Sequence, residues 1–302
     1  MSTAPEPDLP NAAGPLSGAV IEVLSGRPPR HLLNRIDAPL GDADPYGLDL
    51  QLALGVCYEL HHRGFRGVDP RWEWNPGLLH LRAALEERFE DALLRDVGEL
   101  ESSATARAEL AALTVAPGDG AGLSTFLRDE GTWDQVREYF VHRSIQHLRQ
   151  ADSPDDAPQR SYADLLSAAS LKPGYLAYVN HVTAESFTVV NLASLLGLHR
   201  VRRGAAAGRV AATEATSTVE ADHLVLALQR LQAPLRCVRF FDEAAGRGTG
   251  HDLVGQLLAR EPRLDRDVVF GIRAQRLVEE RLAAHLTKSW VSGHSSLRRP
   301  IF

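Results

Sequence analysis

Residues 48–62 read LDLQLALGVCYELHH, and the apolar side chains of this stretch fall on more than one face of a helix. Such a pattern predicts a helix that is buried on several sides. The stretch ends at Arg63 and Gly64, and glycine commonly terminates a helix. Residues 77–97 repeat apolar side chains at helical spacing, as Leu78, Leu79, Leu81, Leu85, Phe89 and Leu93. These two stretches predict an α-helical fold.

The rest of the chain continues the helical pattern. Further helices are predicted over 122–149, 162–171, 175–200, 203–218, 220–231, 233–245, 250–260 and 266–291. No run of alternating β-branched residues between turn signals predicts a strand, and no repeat or heptad is found. We therefore expect a disordered tail over residues 1–16, rich in proline and small residues, and one helical domain over residues 17–302.

The composition of the 302 residues argues against several classes of protein. The net charge is −6 and the calculated pI about 6.1, and basic residues are scattered among acidic ones, so neither nucleic acid nor an anionic membrane is an expected partner. No secretory signal or membrane-spanning stretch is recognised, which predicts a cytoplasmic protein. The two cysteines, Cys57 and Cys237, are expected to be reduced and buried.

Two Glu–His pairs stand within predicted helices. Glu138 and His142 are four residues apart, and Glu59 and His62 are three apart, so each pair shares a helix face. A Glu and a His at this spacing hold metal in helical bundles that bind two irons. The alternative is structural: a carboxylate paired with a neighbouring arginine, and a histidine with its hydrogen bonds satisfied in the core.

Two more residues are candidates for a polar site. Glu214 lies in a helix of small residues, where its carboxylate must be exposed, paired or bound to a ligand, because burying it alone costs several kcal/mol. His251 follows the glycine-rich stretch GRGTG at residues 246–250 and faces either solvent or a pocket. That stretch follows a helix and lacks the Lys-Ser/Thr of a phosphate-binding loop, so it is interpreted as a turn.

Several stretches, in their order along residues 40–300, resemble the iron-containing redox enzymes of the heme-oxygenase-like diiron oxidase superfamily. They are YELHHRGFRGVD at 58–69, RWEW at 71–74, EYFVHRS at 138–144, NLASLLGLHR at 191–200, EATS at 214–217, FFDE at 240–243, FGIRA at 270–274 and SSLR at 295–298. The resemblance implies an all-α, heme-oxygenase-like bundle of about seven core helices with extra N-terminal helices, and it does not imply bound heme.

The resemblance also implies where iron ligands would stand, and most of these positions have changed. A family Glu matches Gln150, and the segment carrying a further Glu is missing between residues 156 and 162, so that the following His position falls near Tyr162. A third family Glu matches Glu214. In the His-x-x-x-Asp-x-x-His motif beyond it, the positions carry Ala244, Gly248 and His251. Only Glu214 and His251 remain as ligands, which is too few for two irons.

Three functions follow from this pattern. The chain is predicted to be a non-catalytic partner or scaffold in specialised metabolism, without iron or another cofactor, forming a homodimer or a heterodimer with an active paralogue. The first alternative is a metal-independent enzyme that binds a small molecule with Glu214 and His251 as base and acid and Tyr162 as a hydrogen-bond donor. The second is a non-heme iron oxidase with a rebuilt ligand set, in which Glu138, His142 or Glu59 joins Glu214 and His251.

Overall fold

The computed structural model describes residues 9–25, 36–101, 104–115, 119–147, 157–245 and 253–302. These ranges contain thirteen α-helices and no β-strand, which confirms the all-α, heme-oxygenase-like class. None of the helices in the described ranges is long and apolar enough to cross a membrane. The chain divides into two compact units, Met1–Asp96 and Val97–Phe302, which are described separately. Whether residues 17–302 behave as one domain stays a prediction.

The N-terminal unit is organised around its third helix. Its helices are α1 (Pro15–Ser25), α2 (Asp37–Asp42), α3 (Leu48–Phe65) and α4 (Pro76–Val97, which ends one residue into the next unit). The Asp49 carboxylate of α3 accepts hydrogen bonds from the backbone N–H groups of Leu16 and Ser17, at 2.9 and 2.7 Å. These N–H groups lack partners within α1, so the carboxylate caps α1 and fixes it against α3. As expected, α3 is buried along most of its length, including Cys57.

The C-terminal unit is a bundle of nine described helices. They are α5 (Ala106–Val115), α6 (Asp119–Asp129), α7 (Trp133–His147), α8 (Ala157–Ala168), α9 (Ala184–Leu198), α10 (Arg203–Arg230), α11 (Leu235–Ala245), α12 (Leu253–Arg260) and α13 (Asp265–Val291). The two longest, α10 and α13, pack against each other and against α5, α6 and α9. They therefore form the centre of this unit.

Glycine makes the close crossing of α10 and α13 feasible. A Cβ on Gly208 would collide with the Val268 carbonyl oxygen, and a Cβ on Gly271 would collide with the Ala205 carbonyl oxygen. Because both helices put glycine at the contact, their backbones approach more closely than side chains would allow. Apolar residues around the crossing, among them Ala212, Val268 and Ile272, form a buried cluster.

The structure corrects two predicted helix boundaries. The two helices predicted over 203–218 and 220–231 are one, α10, because neither glycine nor proline interrupts the chain between Gly208 and Leu231. The helix predicted to start at residue 175 starts at Ala184 instead. The preceding residues form turns, with Leu176 in the left-handed region at φ 56°. Proline and glycine at 173 and 174 favour such turns.

Helix α7 carries the two candidate residues Glu138 and His142, and its start is well defined by the sequence. The Thr132 hydroxyl accepts from the backbone N–H of Gln135 at 3.3 Å, and the Gln135 side chain accepts from the backbone N–H of Thr132 at 2.8 Å. This reciprocal pair is a capping box, with Thr132 at the N-cap position of α7. The cap sets the register that directs Glu138 and His142 into the bundle, where both are buried.

Candidate functional site: a buried polar interior

Glu138 anchors the segment that follows α13. Its Oε2 accepts three hydrogen bonds: from Trp290 Nε1 at 2.7 Å, from the backbone N–H of Ser296 at 2.8 Å and from the Ser296 hydroxyl at 2.6 Å. The residue is 5% exposed, so these donors replace the water that the carboxylate loses on burial. The sequence left a neighbouring arginine open as the partner of Glu138, and the structure gives the carboxylate neutral donors instead.

His142 lies one turn beyond Glu138 and joins the same network. Its Nε2 is 3.1 Å from the Ser296 hydroxyl oxygen, and its Nδ1 is 2.7 Å from the Ser186 hydroxyl oxygen on α9. Since the Ser296 hydroxyl donates to Glu138, Nε2 must donate to Ser296. Burial, together with His285 and Arg143, lowers the pKa of His142 from 6.5 to about 3, so the imidazole is neutral at pH 7. In the neutral ring Nδ1 then accepts from Ser186.

The neutral His142 makes folding sensitive to acid. Because its pKa is 6.5 unfolded and about 3 folded, the unfolded chain takes up a proton first as the pH falls. The free energy of unfolding should therefore decrease below about pH 6.5, by about 1.4 kcal/mol per pH unit from this residue, until about pH 3. Urea unfolding between pH 7 and 4.5 measures the slope. Replacing His142 with Gln should make the slope shallower; an unchanged slope would contradict the assignment.

A second network, the central polar cluster, joins α7, α10 and α13. It consists of Tyr139, Arg143, Glu220, Gln275 and Glu279. The Arg143 guanidinium lies between the two carboxylates, with Nη1 2.9 Å from Glu279 and Nη2 3.4 Å from Glu220. The Tyr139 hydroxyl donates to Glu220, and the Gln275 amide donates to Glu279 at 3.0 Å. Burial opposes the charge of Arg143, but Glu279, Tyr139 and Glu220 raise its pKa well above the usual value.

Glu214 is separated from the central polar cluster by the geometry of α10. Glu220 follows Glu214 by six positions, which places the two side chains roughly 120° apart around the helix axis. Glu214 is partly buried, and its carboxylate makes no hydrogen bond or ion pair with the described residues. His251, its predicted companion, lies outside the described residues, as do Gln150 and Gly248. The pairing of Glu214 with His251 thus stays a prediction.

Tyr162 on α8 is almost completely buried, at 2% exposure. Its hydroxyl donates to the backbone carbonyl of Phe140 at 2.8 Å, and its ring meets the Phe240 ring edge to face. Burial also raises the pKa of the hydroxyl, which keeps it protonated. The one proton that Tyr162 can donate is therefore engaged with the α7 backbone.

Glu59 belongs to the N-terminal unit and is partnered within its own helix. Its Oε1 accepts from Arg63 Nε at 2.7 Å, one turn further along α3. Both side chains are only 9% exposed, so this is a buried ion pair. Pairing with a neighbouring arginine is the structural alternative that the sequence offered for Glu59.

Whether the described residues could bind iron depends on which side chains are free to act as ligands. Within the described part of the chain, no three or more His, Cys, Asp or Glu side chains are grouped so that they could hold a metal ion. The interior carboxylates of Glu138, Glu220 and Glu279 are bound by protein donors, and two of them share the cation of Arg143. A metal ion would have to displace these donors. The described residues therefore do not fit an iron site.

Fold and interior together define a helical bundle of the heme-oxygenase-like class with a buried polar centre. Residues 151–279 match the family model described as iron-containing redox enzyme. This is the family that the sequence motifs indicated, and the match covers less than half of the chain. No curated protein matches the chain.

Sequence reasoning found α7 but missed most of its partners. Ser186, Ser296 and Trp290 complete the network of Glu138 and His142, and Glu220 and Glu279 complete that of Arg143. A weak signal existed for Ser296, which lies in the stretch SSLR that resembles the family. Glu220 and Glu279 gave none, since charged residues are frequent on long helices and exposure is their ordinary explanation.

Proposed function

We propose that this member of the iron-containing redox enzyme family has lost iron binding and acts as a non-catalytic partner of another protein, in specialised metabolism. The proposal rests on one observation: the interior carboxylates are already bound by donors from the protein. Glu138 accepts three hydrogen bonds from neutral donors, and Glu220 and Glu279 share the Arg143 guanidinium. A site for two irons needs several carboxylates whose oxygens converge on the metals, together with histidines.

The energetic cost of restoring a metal supports this proposal. Moving the Glu138 carboxylate to a metal would leave Trp290 Nε1 and the Ser296 N–H as buried donors without an acceptor, at about 1–3 kcal/mol each. A metal at Glu220 and Glu279 would lie against the positive charge of Arg143, which is already in contact with both. Both the loss of these hydrogen bonds and the repulsion by Arg143 oppose metal binding.

The metal-independent enzyme is less well supported than the partner role. It requires Glu214, His251 and Tyr162 to face one substrate. The Tyr162 hydroxyl is engaged with the Phe140 carbonyl, and Glu214 is on a different face of α10 from the central polar cluster. A partner role requires no such convergence, because binding between proteins uses the surface.

Iron content tests the proposal directly. The purified full-length chain, loaded anaerobically with ferrous iron and then desalted, is expected to retain almost no iron because the interior carboxylates are occupied. A Glu214→Ala variant treated in parallel should retain the same small amount. About two irons per chain in the unsubstituted protein, lost in the variant, would overturn the proposal and would indicate a working diiron oxidase.

Complex formation tests the partner role separately from iron content. Co-expression with an iron-binding member of the same family should yield a stable complex by size-exclusion chromatography. If the chain stays separate and instead turns over a small molecule without metal, the partner role is wrong and the metal-independent enzyme is favoured.

A further inference from the structure

Helix α6 lies against both long helices of the C-terminal unit, α10 and α13. Its residues Leu123 and Leu127 are buried, at 4% and 0% exposure. The ring of Phe126 stacks on the Trp290 ring of α13, with the ring centroids 6.1 Å apart. Trp290 is the residue whose Nε1 donates to Glu138. Helix α6 therefore covers an aromatic ring that belongs to the Glu138 network.

One histidine of α10, His223, contacts three side chains of α6. Its Nδ1 is 2.9 Å from the Ser124 hydroxyl oxygen and 3.5 Å from that of Thr125, and its Nε2 is 3.1 Å from Arg128 Nη1. A guanidinium can only donate hydrogen bonds, so Nε2 must accept, and the ring proton is on Nδ1, which donates to the Ser124 hydroxyl. This set of contacts requires a neutral imidazole.

Charged groups from both helices act on His223. Arg128 and Asp129 are on α6, and Asp222 is the preceding residue of α10. Burial and the positive charge of Arg128 lower the pKa of His223 from its ordinary value of 6.5, while Asp129 and Asp222 oppose that change. The Asp129 carboxylate also accepts from Nε and Nη2 of Arg128, both at 2.7 Å, which leaves Nη1 of the guanidinium for His223.

Protonation of His223 is incompatible with its contact to Arg128. The imidazolium has no acceptor left, and its positive charge would lie 3.1 Å from the guanidinium, so the two groups must separate. The last turn of α6 has a further attachment, because the Arg230 guanidinium of α10 donates to the carbonyl oxygens of Leu127 at 3.0 Å and of Arg128 at 2.8 Å. Arginine keeps its charge at any ordinary pH. Acid therefore weakens the attachment of α6 through His223 and leaves that through Arg230.

We propose that α6 is an acid-released cover, which leaves the Trp290 ring when His223 becomes protonated. At neutral pH the cover is closed, because Leu123, Phe126 and Leu127 are then packed against the bundle. Isolated helices of about a dozen residues are marginal in water, and α6 has 11, so on release it should also lose its helical hydrogen bonds. This switch goes beyond the role as a protein partner, and it does not depend on that role.

Amide hydrogen exchange of the full-length chain at pH 7.0 and pH 5.5 tests the proposal, with each rate divided by that of an unstructured peptide at the same pH. In the released state His223 has a pKa near 6.5 and is about nine-tenths protonated at pH 5.5, whereas the closed state favours the neutral ring. Exchange of residues 122–127 should therefore be roughly five- to tenfold faster at pH 5.5. Helix α9 is the reference for unfolding of the whole unit. Residues 122–127 that show no acceleration, or that exchange only as slowly as α9, would contradict an acid-released cover.

His223→Gln identifies the group that responds to acid. The variant cannot titrate, but its amide oxygen can accept from Arg128 and its amide nitrogen can donate in place of Nδ1. The acceleration of residues 122–127 should disappear. His294→Gln, at an exposed histidine just after α13, is the matched control and should retain the full acceleration. Acceleration that persists in His223→Gln would assign the acid response to another group, such as His142, and would overturn the proposal.

Arg128→Gln provides a second test in case His223→Gln is not folded. It removes the cation that faces the ring, so a protonated His223 is no longer repelled from α6. The pKa of His223, measured by NMR from its ring carbon, should rise toward 6.5, and the acceleration of residues 122–127 in acid should become smaller. An unchanged pKa of His223 in this variant would show that Arg128 does not oppose protonation, and the proposal would be wrong.

Discussion

Replacing Gly271 with Ala is expected to lower the free energy of unfolding of the C-terminal unit by about 2–4 kcal/mol. The added Cβ would collide with the Ala205 carbonyl oxygen, which belongs to the backbone of α10 and cannot move aside as a flexible side chain can. The two helices must separate, and the buried cluster around Val268 and Ile272 then loses contacts. Gly208→Ala should have an effect of similar size, through the Val268 carbonyl.

Gly197 provides the matched control for Gly271. It lies in α9 with open space around its hypothetical Cβ, so alanine there should stabilise the chain, by about 0.5–1 kcal/mol, through helix propensity. Urea unfolding followed by circular dichroism compares the two variants. If Gly271→Ala is as stable as the unsubstituted chain, the close crossing of α10 and α13 is wrong.

The second large effect is expected for Glu138→Leu, at about 3–5 kcal/mol of lost stability. The substitution removes the acceptor shared by Trp290 Nε1 and both donors of Ser296, all of which are buried. The segment after α13 should also become more accessible to protease, because Ser296 is its attachment to α7. Glu138→Gln retains one oxygen acceptor, and about half of the loss is expected.

Asp134, one turn before Glu138 on the same helix, controls for loss of charge. Its side chain is 65% exposed and pairs with Arg137, so Asp134→Asn should change stability by no more than about 0.5 kcal/mol. Hydrogen exchange of residues 290–297 gives the local readout. Unaltered protection of this segment in Glu138→Leu would show that Glu138 does not hold it.

The all-α fold could be predicted from the sequence, because helices are specified by local sequence signals. Apolar periodicity predicted α3 and α4, and the Thr132–Gln135 cap marks the start of α7 within the sequence itself. Boundaries that depend on what is absent were harder to predict. No sequence signal marks the point where the two predicted helices would separate, and the structure shows one helix, α10, over Arg203–Arg230.

The interior contacts were harder to predict from the sequence, because they join residues far apart in the chain. Glu138 meets Ser296, and Arg143 meets Glu279, each across more than a hundred residues. Helical spacing identified Glu138 and His142 as neighbours on one face, but it carries no information about which helix that face meets. Long-range pairing requires the crossing angles and registers of the bundle, which side-chain packing determines.

The attachment of Ser296 to Glu138 also constrains when the protein can fold during synthesis. Residue 138 leaves the ribosome long before residue 296, with which it shares a hydrogen bond across 158 positions. Until then the α7 carboxylate has neither Trp290 nor Ser296 as a donor and remains hydrated. The packing of α7 against the segment after α13 therefore has to follow translation of residues 290–296.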